Sequence, residues 1–271
     1  MKDNQKKEDL KAILKKLYNE IKDPILGYHV SLGNDLGTSR PPPPIGSGIF
    51  SKLSISSHII YGILTAAHVV KDLILQSKSK ICLSKPKNEN TIVCTTSFSF
   101  IYCYINNKKF LDKSRAEYLP DIAFIALDVD KIPNNDLIID SSFYDLDSNI
   151  DLVIDNSKIV SAFFRGAAEK NNGFLDTCLC IGGKEKLKSD KQTGVQLWEI
   201  PNTSNKSISG ASGAGFWRFN CKKPQDIFLG GIIISEDSSK FSFIRAITNS
   251  YIYNNFLPDL KKYCKSFYKI S

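Results

Sequence analysis

The sequence predicts a mainly β protein, built as two antiparallel barrels with a helix leading into the first, and three observations carry that expectation. Short stretches rich in β-branched and aromatic residues recur between glycine-bearing turns from about residue 46 onward, a barrel pattern and not that of a parallel sheet. They fall into two groups, parted near residues 127–158 where the composition shifts to Asp, Asn and Ser. The 271 residues, 42% of them apolar, suffice for a sizeable core and fit two small barrels that share an interface.

Residues 5–22 place Leu10, Ile13, Leu14, Leu17 and Ile21 at helical steps, with lysines on the opposite face and Pro24 and Gly27 to end the helix. Packing on a barrel or on a partner subunit is expected of its apolar stripe. Residues 33–44 end in four prolines and form an extended connector, because proline brings no N–H to a strand ladder. Strands are expected at 46–50, 55–64, 91–105 and 120–127, within a six-stranded barrel, and residues 108–118 form a polar loop before the last. His29 and His58 lie outside any motif and read as ordinary strand or surface histidines.

In the linker, Asp145-Leu146-Asp147-Ser148-Asn149-Ile150-Asp151 has the alternating oxygen donors of a calcium loop. Ile150 stands where the turn glycine belongs and Asn156 where the bidentate glutamate does, so a solvated acidic linker without metal is expected. The second group comprises six segments, 159–164, 177–182, 195–200, 215–219, 228–235 and 241–247, with Trp198 and Trp217 as core or interface residues.

The net charge of +8 does not indicate a nucleic-acid partner: lysine gathers at the two ends, the middle is acidic, and no stretch interleaves basic and aromatic side chains. Seven cysteines, with no C-x-x-C pair and no histidine at ligand spacing, suggest neither a disulfide framework nor a zinc site, and no cofactor is expected. They fit a reducing compartment. No run approaches the roughly 18 apolar residues of a membrane helix, and the N-terminus is polar where a signal peptide is apolar. A cytoplasmic protein is therefore expected.

Three stretches carry chemistry. Gly62-Ile63-Leu64-Thr65-Ala66-Ala67-His68-Val69-Val70 brings an apolar strand up to a histidine, and Pro120-Asp121-Ile122-Ala123-Phe124-Ile125-Ala126-Leu127 sets an aspartate at the head of a buried strand. Ser207-Ile208-Ser209-Gly210-Ala211-Ser212-Gly213-Ala214-Gly215-Phe216-Trp217 exposes a serine in a tight glycine-rich turn. A serine hydroxyl is a poor nucleophile until an imidazole takes its proton, and the imidazole needs a carboxylate to fix its tautomer. Each stretch supplies one of these groups.

The three segments resemble the motif blocks of trypsin-like serine peptidases of the chymotrypsin fold, closest to the bacterial and intracellular branch that includes the HtrA peptidases. The order His68, Asp121, Ser212 agrees, as does the interval of 53 positions between the first two. Gly46-Ser47-Gly48-Ile49-Phe50 resembles the family's glycine-rich first strand, and Leu229-Gly230-Gly231-Ile232-Ile233-Ile234-Ser235 its substrate-pairing strand. The resemblance implies a double barrel of two six-stranded sheets divided as 1–27 helix, 28–130 first barrel, 131–158 linker, 159–248 second barrel and 249–271 closing helix, split at Pro258. It implies a serine endopeptidase acting on a protein or peptide substrate, with Ser212 as nucleophile, His68 as base, Asp121 orienting it, and the N–H groups of Gly210 and Ser212 as oxyanion donors.

Lys206 occupies the place of the primary pocket's base, while Ser235, Glu236 and Asp237 lie at or just past the pairing strand; Lys206 would favour an acidic side chain and the carboxylates a basic one. Val69 and Ile208 replace the cysteines of secreted relatives, Ala211 replaces the aspartate that pairs with a newly cut N-terminus in zymogen-derived ones, and Ala214 replaces a glycine. Activation by N-terminal cleavage is not expected, nor is a PDZ domain after residue 271. Small relatives of this kind occur in antiviral defence systems of bacteria, where a partner protein is cut or activates the peptidase. The rival expectation is a catalytically silent module of the same fold that binds peptides or serves as a scaffold.

Overall fold

The computed structural model describes residues 2–34, 45–76, 80–87, 90–103, 120–129, 143–148, 159–169, 175–181, 184–185, 194–199, 210–220, 223–236 and 243–270. Helix α1 (Lys2–Tyr28) leads into β1 (His29–Asn34), β2 (Gly46–Ile55), β3 (His58–Thr65), helix α2 (Ala67–Gln76), β4 (Lys80–Lys87), β5 (Asn90–Cys103), β6 (Ala123–Leu127) and the short β7 (Tyr144–Asp145). These strands form one sheet in the order β1-β4-β5-β6-β3-β2-β7, and a further β1–β2 pairing closes its first six strands into a barrel. Closure satisfies every edge except where β7 adds in parallel beside Ser51 and Lys52 of β2.

The other half contains β8 (Ile159–Glu169), β9 (Leu175–Ile181), β10 (Lys184–Glu185), β11 (Val195–Glu199), β12 (Gly215–Asn220), β13 (Lys223–Glu236) and β14 (Phe243–Thr248), paired as β10-β11-β14-β13-β12-β8-β9. The six expected segments all form strands, and the two-residue β10 adds a seventh. The architecture is mainly β, a closed barrel beside a second antiparallel sheet, with a helix at each end.

Two strands of the first barrel were not expected from the sequence. Gly33 and Asn34, assigned above to the connector, end β1, and β4 carries four residues, Lys80, Lys85, Pro86 and Lys87, that argue against a strand. Long-range pairing overrides propensity here: Leu32 stands opposite Leu83, and both are fully buried. The prolines of the connector, the 108–118 loop and most of the linker lie outside the described residues.

Helix α1 continues through Pro24 to Tyr28, contrary to the stop expected at Pro24. Pro24 faces solvent, whereas Leu17, Ile21 and Ile25 continue the buried stripe past it, so packing outweighs one missing backbone hydrogen bond. Tyr28 then packs at a tilt against Trp217 of β12, with ring centroids 5.3 Å apart, and meets Tyr144 edge-on. Lys85 Nζ donates to the Gly27 carbonyl at 2.5 Å, a cation on one of the helix's last acceptors. Among the described residues no helix is long and apolar enough to cross a membrane.

One hydrophobic cluster joins the first barrel to Trp217, Phe219, Leu229, Ile232 and Ile234 of the other sheet and to the C-terminal helix. A smaller one, with Trp198, Ala211, Phe216 and Ile244, lies behind the serine loop. Residues 143–148 are not simply solvated: Phe143, Tyr144 and Leu146 are buried, and the Tyr144 hydroxyl accepts the Leu229 N–H at 3.2 Å. Asp147 accepts the Ser54 N–H at 2.6 Å and pairs with Lys261, so its carboxylate is committed to joining elements. The C-terminal turn α3 (Asn249–Tyr251) passes through a π-helical segment (Ile252–Phe256) into α4 (Leu257–Tyr268). Pro258 occupies the first turn of α4 and marks a change of helical register, not a break.

His29 is fully enclosed, and burial, aided by the charge of Lys85, pushes its imidazole down to about 3. Its neutral form is then required by the fold. The unfolded chain takes up a proton near pH 6.5, so this contribution is complete above that pH and is lost as pH falls toward 3. Urea unfolding is expected to show a loss of about 3 kcal/mol from this group between pH 7 and pH 4, and a smaller slope in His29→Gln.

Candidate active site

Strand β3 ends at Thr65, and the alanines at 66 and 67, both fully buried, let the chain turn closely against the barrel into α2. His68 therefore sits in the first helical turn, where backbone N–H groups have no intrahelical acceptor. Asp121, which enters from the far side two residues ahead of β6, supplies one. Its Oδ1 accepts the His68 N–H at 2.9 Å and its Oδ2 takes His68 Nδ1 at 2.6 Å. Both residues are buried, at 6% and 5% exposure. Since a carboxylate only accepts, Nδ1 carries the hydrogen, and in the neutral imidazole Nε2 then keeps its lone pair. One carboxylate thus fixes both the helix start and the imidazole's tautomer.

Cys103, the last residue of β5, lies opposite Ala123. Burial, with the negative charge of Asp121 adding, pushes its thiol up to about 12. It stays protonated beside the pair and does not compete as a nucleophile.

The serine loop is fixed by its main chain. Gly210 and Gly213 have φ of 82° and 86°, left-handed values that glycine adopts without strain. A Cβ on Gly213 would lie 2.0 Å from the Ser47 carbonyl oxygen and 2.2 Å from Thr65 Oγ1, so the loop touches the first barrel directly. Gly213 N–H donates to the Ile233 carbonyl at 2.7 Å and Ala214 N–H to that of Ala211 at 2.9 Å. Among the described residues, the N–H groups of Gly210, Ala211 and Ser212 meet no backbone acceptor. Ser212 is half-buried, with its Oγ 3.5 Å from the Ile234 carbonyl, long for a hydrogen bond. Ala211 lies in the smaller apolar cluster, where a carboxylate would be desolvated.

Of the proposed pocket residues, Ser235 stands opposite Arg245 in the β13–β14 pairing, just past a register shift, and Glu236 stands opposite Ile244. Lys206 lies outside the described residues. Residues 47 and 65 escaped the sequence reading as site residues; a buried Ser and a buried Thr at the facing ends of two strands were the available signal. Among the described residues no cluster of His, Cys, Asp or Glu could hold a metal.

The chain is similar in structure to several solved proteases. The MamO protease domain of Magnetospirillum magneticum, in its apo form, is 13% identical over 85% of this chain and 96% of its own, with a TM-score of 0.49. A serine endoprotease from Yersinia pestis is 15% identical over 90% and 66%, with a TM-score of 0.46. The active form of the Rv3671c protease from M. tuberculosis is 11% identical over 89% and 84%, with a TM-score of 0.44. No family model matches the chain, and no curated protein does.

Proposed function

We propose that the protein is a serine endopeptidase that cleaves protein substrates through an acyl-enzyme. The observation that carries this reading is the buried His68–Asp121 pair, in which both carboxylate oxygens are bound to one residue and leave the imidazole the right tautomer to accept a proton. Ser212 Oγ attacks the peptide carbonyl carbon as its proton passes to His68 Nε2. The resulting oxyanion is met by the N–H groups of Gly210 and Ser212, neither of which meets a backbone acceptor among the described residues. The C–N bond then breaks, His68 returns the proton to the leaving amine, and water hydrolyses the ester by the same route in reverse.

Lys206, Ser235 and Glu236 are the proposed pocket for the substrate side chain. Cys82, Cys94, Cys103 and Cys264 are buried thiols, which favours a reducing compartment such as the cytoplasm. Cleavage of a partner protein in bacterial defence is the setting the motif resemblance suggests. The reading is tested by incubating the protein with a denatured protein mixture and mapping new termini by mass spectrometry. New termini absent from a Ser212→Ala control are expected; none with the wild type, or the same set with the variant, overturns it.

A further inference from the structure

We infer that Ser47 is a positioning residue that holds the serine loop in its oxyanion-binding shape from the opposite barrel. The inference rests on the peptidase reading above.

Ser47 lies in β2, is 1% exposed, and turns three groups to the interface. Its N–H donates to the Ser212 carbonyl at 2.7 Å, its hydroxyl donates to the Gly210 carbonyl at 2.7 Å, and its own carbonyl accepts from Thr65 Oγ1 at 2.6 Å. Two carbonyls of the loop, at 210 and 212, are thus drawn to a single residue. The neighbouring Gly46 fixes the loop against the histidine's element: a Cβ there would be 2.6 Å from Val69 Cγ2 and 3.1 Å from the Ser212 carbonyl oxygen.

The hydroxyl is needed because Gly210 is the loop's loosest point. With φ of 82° and no Cβ, Gly210 swings about its Cα at little cost, and the bond to its carbonyl fixes the plane of the Gly210–Ala211 peptide against which its own N–H is aimed. The main-chain bond from Ser47 secures only the Ser212 end. Loss of the hydroxyl leaves the Gly210 end unsecured, and the two N–H groups no longer converge on one oxygen.

The test compares Ser47→Ala and Ser47→Thr with the wild type in kcat, in KM, and in the second-order rate of labelling by a fluorophosphonate. Ser47→Ala is expected to lower kcat and the labelling rate by about tenfold, near the upper end for one neutral hydrogen bond, with KM unchanged and with Ser47→Thr restoring both rates. Should Ser47→Ala not fold, Ser47→Gly keeps the main-chain bond and is expected to show the same loss. Wild-type rates in a variant without the hydroxyl, a rise in KM at constant kcat, or a loss that Ser47→Thr leaves unrepaired overturns the inference. A wild type that takes no label overturns the peptidase reading itself, whereas labelled wild type with unaffected Ser47→Ala overturns the positioning role alone.

Discussion

Ser212→Ala is expected to lower turnover of a cleaved peptide by roughly 10⁶-fold, the scale on which a Ser-His-Asp enzyme loses its nucleophile. His68→Ala is expected to fall to the same floor, and the double variant no lower, because nucleophile and base act as one unit. The floor is set by what survives, namely the proposed oxyanion donors, the N–H groups of Gly210 and Ser212, and whatever binds the substrate. Steady-state kinetics on the three variants checks this, with circular dichroism to show that each keeps its β signature. A Ser212→Ala variant within tenfold of the wild type would remove Ser212 from the chemistry.

Asp121→Asn is expected to cost about 10⁴-fold in kcat while leaving the fold nearly as stable. An asparagine has one oxygen for the two bonds that Asp121 makes. If that oxygen stays on the His68 N–H, the amide hydrogens face Nδ1, which must then accept, and the imidazole's hydrogen moves to Nε2. In the proposed mechanism that nitrogen takes the serine proton. Asp121→Ala differs, since it also strands the buried His68 N–H and adds a stability loss of about 1–3 kcal/mol. Comparing kcat with thermal midpoints across the two variants separates tautomer control from helix anchoring.

How much of this was legible in the sequence depended on whether a residue's neighbours were local. His68 and Asp121 stand out because each interrupts an otherwise apolar run, and a polar group at the end of a buried strand needs a reason. The structure supplies it by bringing the two side chains together. The strands of the second half were readable from glycine-punctuated β-branched runs. By contrast β1 and β4 form only because they pair with each other and with the rest of the barrel, a gain that no local propensity expresses. The same holds for Pro24, tolerated because Ile21 and Ile25 are buried on either side of it. Phe143, Tyr144 and Leu146 sat in a stretch whose acidic composition hid their anchoring role. Ser47 was not read as a site residue because its partners, Gly210 and Ser212, lie across the interface between the two sheets, and Lys206 remains a sequence-based assignment.

The proposed chemistry requires the Ser212 hydroxyl to be made nucleophilic by the His68–Asp121 pair. The most direct measurement is reaction of the purified protein with a fluorophosphonate, followed by peptide mapping of the adduct. A single phosphonyl group on Ser212, absent from His68→Ala and slowed in Asp121→Asn, is the predicted result. An adduct on any other residue, no adduct at all, or labelling of Ser212 at an equal rate in His68→Ala would contradict it.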